Sequence, residues 1–200
     1  MYKKLLLALC LCVGAQAMAG PLFQDKVYAT GKPVADKPMV LRDFVEFRNA
    51  RALKPMSFRT LDGKAVTLKQ YAGTMVILDV WATWCEPCLR SLKPLMAKQQ
   101  KYNRPGSKLS IVSVSIDEGK TDVRKFLARM GVPAFHTLRD AEQKQITKNF
   151  PLDVVPAAFV VDGKGNLVGF LRGYVDWEDE SVEPYLEALA AKYARPAPAK

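Results

Sequence analysis

The stretch Val76-Ile-Leu-Asp-Val-Trp-Ala-Thr-Trp-Cys-Glu-Pro-Cys88 decides how the rest of the chain is read. Met75 to Trp81 is a near-continuous apolar run, the pattern of a central strand covered on both faces. Its one charge, Asp79, stands six residues before a pair of cysteines in C-x-x-C spacing. A carboxylate in a dry strand neutralises instead of staying charged, which lifts its pKa toward the range of a working proton acceptor. The same residue could instead be a hydrogen-bonded structural aspartate.

Cys85 and Cys88 fall at i and i+3 on the first turn of a helix, with Cβ atoms about 5–6 Å apart in ideal geometry. A disulfide needs about 3.5–4.5 Å, so the bridge closes with modest distortion and reopens readily. Cys85 precedes the helix, where backbone N–H groups and the positive end of the dipole favour its thiolate. That makes Cys85 the attacking nucleophile, and Cys88, one turn inward, the resolving thiol. Glu86 works weakly against the thiolate, while Pro87 supplies an early helical φ where no N–H is needed. If Cys88 must lose a proton to resolve a mixed disulfide, a nearby acid of raised pKa can take it.

The flanking sequence sets the context. Residues 1–19, MYKKLLLALCLCVGAQAMA, run from lysines through an apolar stretch to small residues, the order of a secretory signal. Cleavage fits after Ala17 or after Ala19, and the latter leaves a c-region of more usual length. The apolar core is too short for the roughly 20 residues of a spanning helix, and Leu9 before Cys10 argues against a lipoprotein signal. With Cys10 and Cys12 in the leader, Cys85 and Cys88 are the only pair left, and so short a loop is better used than stapled.

The chain has 200 residues, 49% hydrophobic, and a net charge of +10. That is one compact domain. Its basic residues, among them Lys93, Lys98, Lys101, Arg104, Lys120, Arg124, Lys125 and Arg129, are scattered and not interleaved with aromatics, so they read as a solvated face, with an acidic partner or an anionic membrane surface as the alternative and nucleic acid not indicated. A zinc site would need about four protein ligands, and His136 is the only histidine. A copper chaperone using Cys85, Cys88 and His136 stays open as a reading, since two thiolates and an imidazole are adequate soft ligands.

Residues 20–55 read as a turn-rich arm followed, after Pro38, by a short amphipathic helix or irregular segment in which Val40, Phe44 and Phe47 recur at i, i+4 and i+7. This segment either packs on the domain or docks a partner. The domain proper spans 56–195, with a frayed tail at 196–200. Within it Phe58–Leu61 and Ala65–Leu68 flank Asp62-Gly63 as a hairpin. Leu89–Tyr102 is predicted as a helix kinked at Pro94, Ser110–Ile116 as a buried strand, and Thr121–Met130 as a helix closed by Gly131. Strands at Phe159–Val161 and Asn166–Arg172 and a last helix at Glu178–Tyr193 complete an α/β sandwich with a mixed sheet.

Four motifs in order, Asp62-Gly-Lys-Ala-Val-Thr-Leu68, Val76 to Cys88, Ile111-Val-Ser-Val-Ser-Ile-Asp117 and Val155-Pro-Ala-Ala-Phe-Val-Val-Asp-Gly-Lys-Gly165, resemble the TlpA-like (ResA-like) branch of the thioredoxin superfamily. The likeness covers about Phe58 to Tyr193. It implies a thioredoxin fold, a central mixed β-sheet flanked by helices, with a TlpA-like βα insert around Ser110–Arg139 and an extra N-terminal segment. It implies a periplasmic thiol-disulfide oxidoreductase without cofactor or metal. Protein substrates are implied, with a membrane thiol-disulfide electron donor and a monomeric state.

By the same resemblance, Trp84, Val155 and Pro156 bind substrate, with Pro156 cis beside the dithiol; read from the residues alone, a trans proline opening the next strand is the alternative. Asp79 occupies the place of the buried aspartate of thioredoxins, whereas many TlpA-like proteins have asparagine there. Ser91 stands where relatives usually carry a glutamate. Direction is taken as reducing, serving cytochrome c maturation or a copper-protein cysteine pair, with a disulfide-forming oxidant as the rival. A peroxidase frame is absent, because Leu78 and Ala82 occupy its proline and threonine positions.

Overall fold

The computed structural model of the chain describes residues 26–119, 121–150 and 152–194. The leader expected over 1–19, the start of the arm and the tail at 196–200 lie outside the described residues. Within them are strands β1 (Lys26–Ala29), β2 (Val45–Arg51), β3 (Ser57–Thr60), β4 (Ala65–Thr67), β5 (Met75–Trp81), β6 (Leu109–Ser115), β7 (Thr137–Arg139), β8 (Ala157–Val161) and β9 (Leu167–Arg172). The helices are α1 (Glu86–Tyr102), α2 (Val123–Arg129), α3 (Lys144–Thr147) and α4 (Val182–Tyr193). The strands join in one sheet of order β1-β2-β9-β8-β5-β6-β7-β3-β4.

The apolar run that opened the reading is the middle of this sheet. All seven residues of β5 are buried. It pairs parallel with β6 and antiparallel with β8, so its backbone is satisfied on both edges and its side chains are covered on both faces. Only there does such a run stabilise the fold without leaving apolar surface in water. The β3–β4 hairpin forms as the Asp62-Gly63 turn requires, with Gly63 at φ +82°.

Helix α1 is pinned along its length, which fixes the cysteines at its start. At its far end Asn103 bonds both backbone groups of Ile111 on β6, at 2.7 and 2.8 Å. Buried Gln99 does the same to His136, at 2.8 and 3.0 Å. Lys98 reaches Glu183 of α4 at 2.9 Å, so part of the basic face joins two helices instead of lying free in water. Pro94 sits inside a continuous helix.

The N-terminal segment packs on the domain, one of the two readings, but not as a helix. Instead of a helix through Val40, Phe44 and Phe47, a single 3-10 turn at Met39–Leu41 precedes β2, which pairs antiparallel with β9. The reason is long-range: β9 offers an unpaired strand edge, and covering it satisfies a row of backbone groups that local periodicity cannot see. Phe47 packs on Phe170 with ring centroids 5.7 Å apart. Gly169 permits the close approach, since a Cβ there would lie 2.8 Å from the Val45 carbonyl oxygen.

The stretch read as the insert, Ser110–Arg139, holds β6, α2 and β7, with β6 and β7 paired in the one sheet. The two elements at and beyond its end, β7 and α3, are three and four residues long, too short to show a period.

Candidate functional site

Strands β5 and β6 run parallel and end at the same edge of the fold, where Trp81 faces Ser115. From the end of β5 the chain turns through Ala82–Trp84 into Cys85, the N-cap of α1 (φ −91°, ψ 95°). The cysteines are joined in a disulfide with Cα atoms 5.2 Å apart. The Cys88 N–H donates to Cys85 Sγ at 3.3 Å, as the side-chain oxygen of a serine or aspartate cap would accept. The sulfur most favoured to carry charge is therefore Cys85. Accessibility does not separate the two, which are 4% and 2% exposed.

The turn before the cysteines is held by a residue that the sequence reading left without a role. Asp117, buried just beyond β6, accepts from the Thr83 backbone N–H at 3.1 Å through both carboxyl oxygens. It also accepts from the Thr83 hydroxyl at 2.6 Å and the Ser115 hydroxyl at 2.7 Å. Arg139 closes the far side, donating to the Asp117 carbonyl at 3.2 Å. A second lone acid at the end of an apolar strand was the available signal.

Asp79 lies further back on β5, in register with Ser113. Ser113 Oγ accepts from Gln99 on α1 at 3.2 Å, which puts this pair on the face that α1 covers. Burial pushes the Asp79 carboxyl up to about 7, against a hydrogen bond from the Ser113 side chain that lowers it. Its Oδ2 has no hydrogen-bond partner among the described residues, and neither does the buried Oγ of Ser91, one turn beyond Cys88. A carboxyl with one oxygen unspent and a pKa near neutrality can take and return a proton.

Around the dithiol the sheet edge is apolar and open. Val155–Pro156 is a cis peptide bond, and it leads into β8, whose first residue, Ala157, pairs with Val80 at the cysteine end of β5. Pro156 is buried and Val155 half-buried, while Trp84 is 65% exposed. Two further apolar residues are exposed on neighbouring loops, Val154 and Tyr174. The Arg90 guanidinium lies 4.7 Å over the Tyr174 ring and 3.5 Å from Glu86, linking the post-β9 loop to α1.

His136 does not join this edge. It precedes β7, whose Arg139 is the residue level with Ser115, which leaves His136 three strand positions, about 10 Å, short of it. Among the described residues no three His, Cys, Asp or Glu side chains cluster as a metal site. The copper-binding constellation of Cys85, Cys88 and His136 is not assembled.

Comparison with known proteins agrees with this geometry. A family model described as thioredoxin-like matches residues 73–167. The thiol-disulfide oxidoreductase ResA of Geobacillus thermodenitrificans is 30% identical over 129 residues, covering 64% of this chain and 71% of that protein. ResA of Bacillus subtilis is 31% identical over 112 residues, 56% of this chain and 60% of that one. A Chlorobium tepidum structure described as the thiol:disulfide interchange protein DsbE superposes with a TM-score of 0.59 at 28% identity, covering 70% of this chain and 95% of the other. With a cysteine-capped helix at the end of its central strand and relatives that share that chemistry, the chain belongs to the ResA-like thiol-disulfide oxidoreductases of the thioredoxin superfamily.

Proposed function

We propose that this oxidoreductase is exported to the periplasm and reduces disulfides in client proteins. In the reduced chain the Cys85 thiolate attacks one sulfur of a client disulfide, and the other client sulfur leaves as a thiolate. Cys88 then gives its proton to Asp79 and attacks Cys85 Sγ, releasing the second client thiolate. The client gains two electrons and the chain is left with the Cys85–Cys88 disulfide. A membrane dithiol protein returns the electrons. One monomer suffices, because a single chain carries both thiols and the acid. Trp84, Val155 and Pro156 form the surface against which the client chain lies. Apocytochrome cysteines and the paired cysteines of copper proteins are the clients to try first.

The direction rests on the resemblance to the ResA-like family, and Glu86, an acid rather than a base between the two cysteines, adds only a small push the same way. A strong oxidant owes its potential to a stabilised reduced form, and a carboxylate beside Cys85 works against the thiolate that would stabilise it. Measuring the Cys85/Cys88 potential tests the reading. A value near that of thioredoxin, roughly −270 mV, is expected, and one near −120 mV would transfer the chain to the disulfide-forming oxidants.

A further inference from the structure

We infer that the cleft at the end of the sheet opposite the dithiol binds an anionic amphiphile, an acyl chain ending in a carboxylate or phosphate. The cleft has a volume of about 890 Å³, within the range of small-molecule sites. Its apolar wall comes from Leu53, Met56, Leu68, Tyr71, Val76 and Val161. The Gly73 N–H donates to the Gly163 carbonyl at 2.8 Å, and the Gly163 N–H to the Tyr193 carbonyl at 2.9 Å, which fixes the turn after β8 as one wall.

The charge at this cleft is mostly positive. Lys54 and Lys164, on two loops, and Lys69, on the 3-10 turn Leu68–Tyr71, line it, all three are exposed, and none has an acidic partner among the described residues. The one acid in the lining, Asp162, offsets only one of the three and is bound to other partners. Its oxygens are taken by the Tyr28 hydroxyl at 2.7 Å, the Lys164 and Asn166 backbone N–H groups at 2.9 and 2.8 Å, and the Asn166 side chain at 3.1 and 3.3 Å. An apolar channel under three unpaired ammonium groups fits a ligand with an apolar tail and an anionic head. A neutral apolar molecule would leave the lysines unused, and a hydrophilic anion would leave the channel unused.

Position gives the site its use. Val76 and Val161 lie at the cleft, while the cysteines follow the other end of β5, roughly 20 Å away at about 3.3 Å per residue. Held by an anionic acyl lipid at this end, the chain would face a membrane with its dithiol turned outward to clients.

Titration calorimetry on the full chain with decanoate, below its micelle concentration, tests the site. Saturable one-to-one binding is expected, weakened at least tenfold in the double variant Lys69→Glu/Lys164→Glu and also weakened in Lys54→Glu, with decanol binding far less tightly. Thiol-disulfide exchange in the same samples should be unchanged, which keeps this test separate from the reductase reading. Flotation with vesicles of equal phosphatidylglycerol and phosphatidylcholine, against phosphatidylcholine alone, names the source. Co-flotation with the anionic vesicles, lost in the double variant, identifies a membrane lipid, whereas binding of decanoate without flotation identifies a free acyl acid. No saturable decanoate binding, or equal affinity in the charge-reversed variants, overturns the proposal.

Discussion

Asp79 and Asp117 are both buried carboxylates on or just beyond two neighbouring parallel strands, 4% and 1% exposed, yet their surroundings are opposite. Asp117 is saturated, holding the Thr83 backbone and hydroxyl and the Ser115 hydroxyl. Asp79 is starved, with one oxygen free of any partner among the described residues and a pKa pushed to about 7 by burial. Two carboxylates of like burial thus differ in the number of donors aimed at them.

Four experiments break or sharpen that contrast. The largest effect belongs to the thiols, without which neither acid has a reaction to serve. Cys85→Ser should show no exchange above background, and Cys88→Ser should accumulate mixed disulfides with clients on non-reducing gels. Equal trapping by Cys85→Ser would reverse their roles.

Next is Asp79→Asn, which keeps the shape and removes the titrating group. Exchange at neutral pH should slow by about 100- to 10,000-fold, partly rescued by small thiols. Its folded pKa is raised, so the protonated form favours the fold. The contribution of Asp79 to wild-type stability should be fully present below about pH 4 and be lost as pH rises through about 7, by a few kcal/mol at about 1.4 kcal/mol per pH unit. Denaturant melts from pH 4 to 8 should show this slope in the wild type and not in Asp79→Asn. A slope present in both would assign it to another group.

Asp117→Asn should do the converse. Loss of the strong acceptor for Thr83 is expected to cost about 1–3 kcal/mol of stability, with exchange slowed less than tenfold and the pH profile keeping its wild-type shape. A changed profile would mean that Asp117 also handles protons. The smallest effect is at Glu86→Gln. Removing a charge near the helix start, worth about 0.3–1 kcal/mol, should raise the reduction potential by roughly 5–20 mV at about 30 mV per 1.4 kcal/mol. A fall would reverse the account of Glu86.

Much of this molecule was legible in order along the chain. The apolar run of β5, the Asp-Gly hairpin and the cysteine-led helix were read in place, because each rests on a signal within a few residues: continuous burial, a positive φ, a helix N-terminus. The pairing of Cys85 with Cys88 and the oddness of Asp79 were equally local. The clamp at Asp117 was not, since its meaning lies in Thr83, which reaches it only when β5 and β6 lie side by side. Arg90 and Tyr174 also meet only across the fold.

By itself, then, the sequence marked the candidate chemistry: a C-x-x-C pair, a lone carboxylate six residues before it, and the kind of strand and helix that carry them. Only the tertiary structure decided where each group stands. Val45–Arg51 became a strand because β9 had an edge to cover, His136 was kept from the cysteines by the register of β7 on β6, and Asp79 was left with one oxygen unpaired among the described residues while Asp117 was not. Reactivity is carried by bonds within a residue and its immediate neighbours, whereas strand pairing, burial and hydrogen-bond satisfaction depend on chain segments far apart in sequence that come together only on folding.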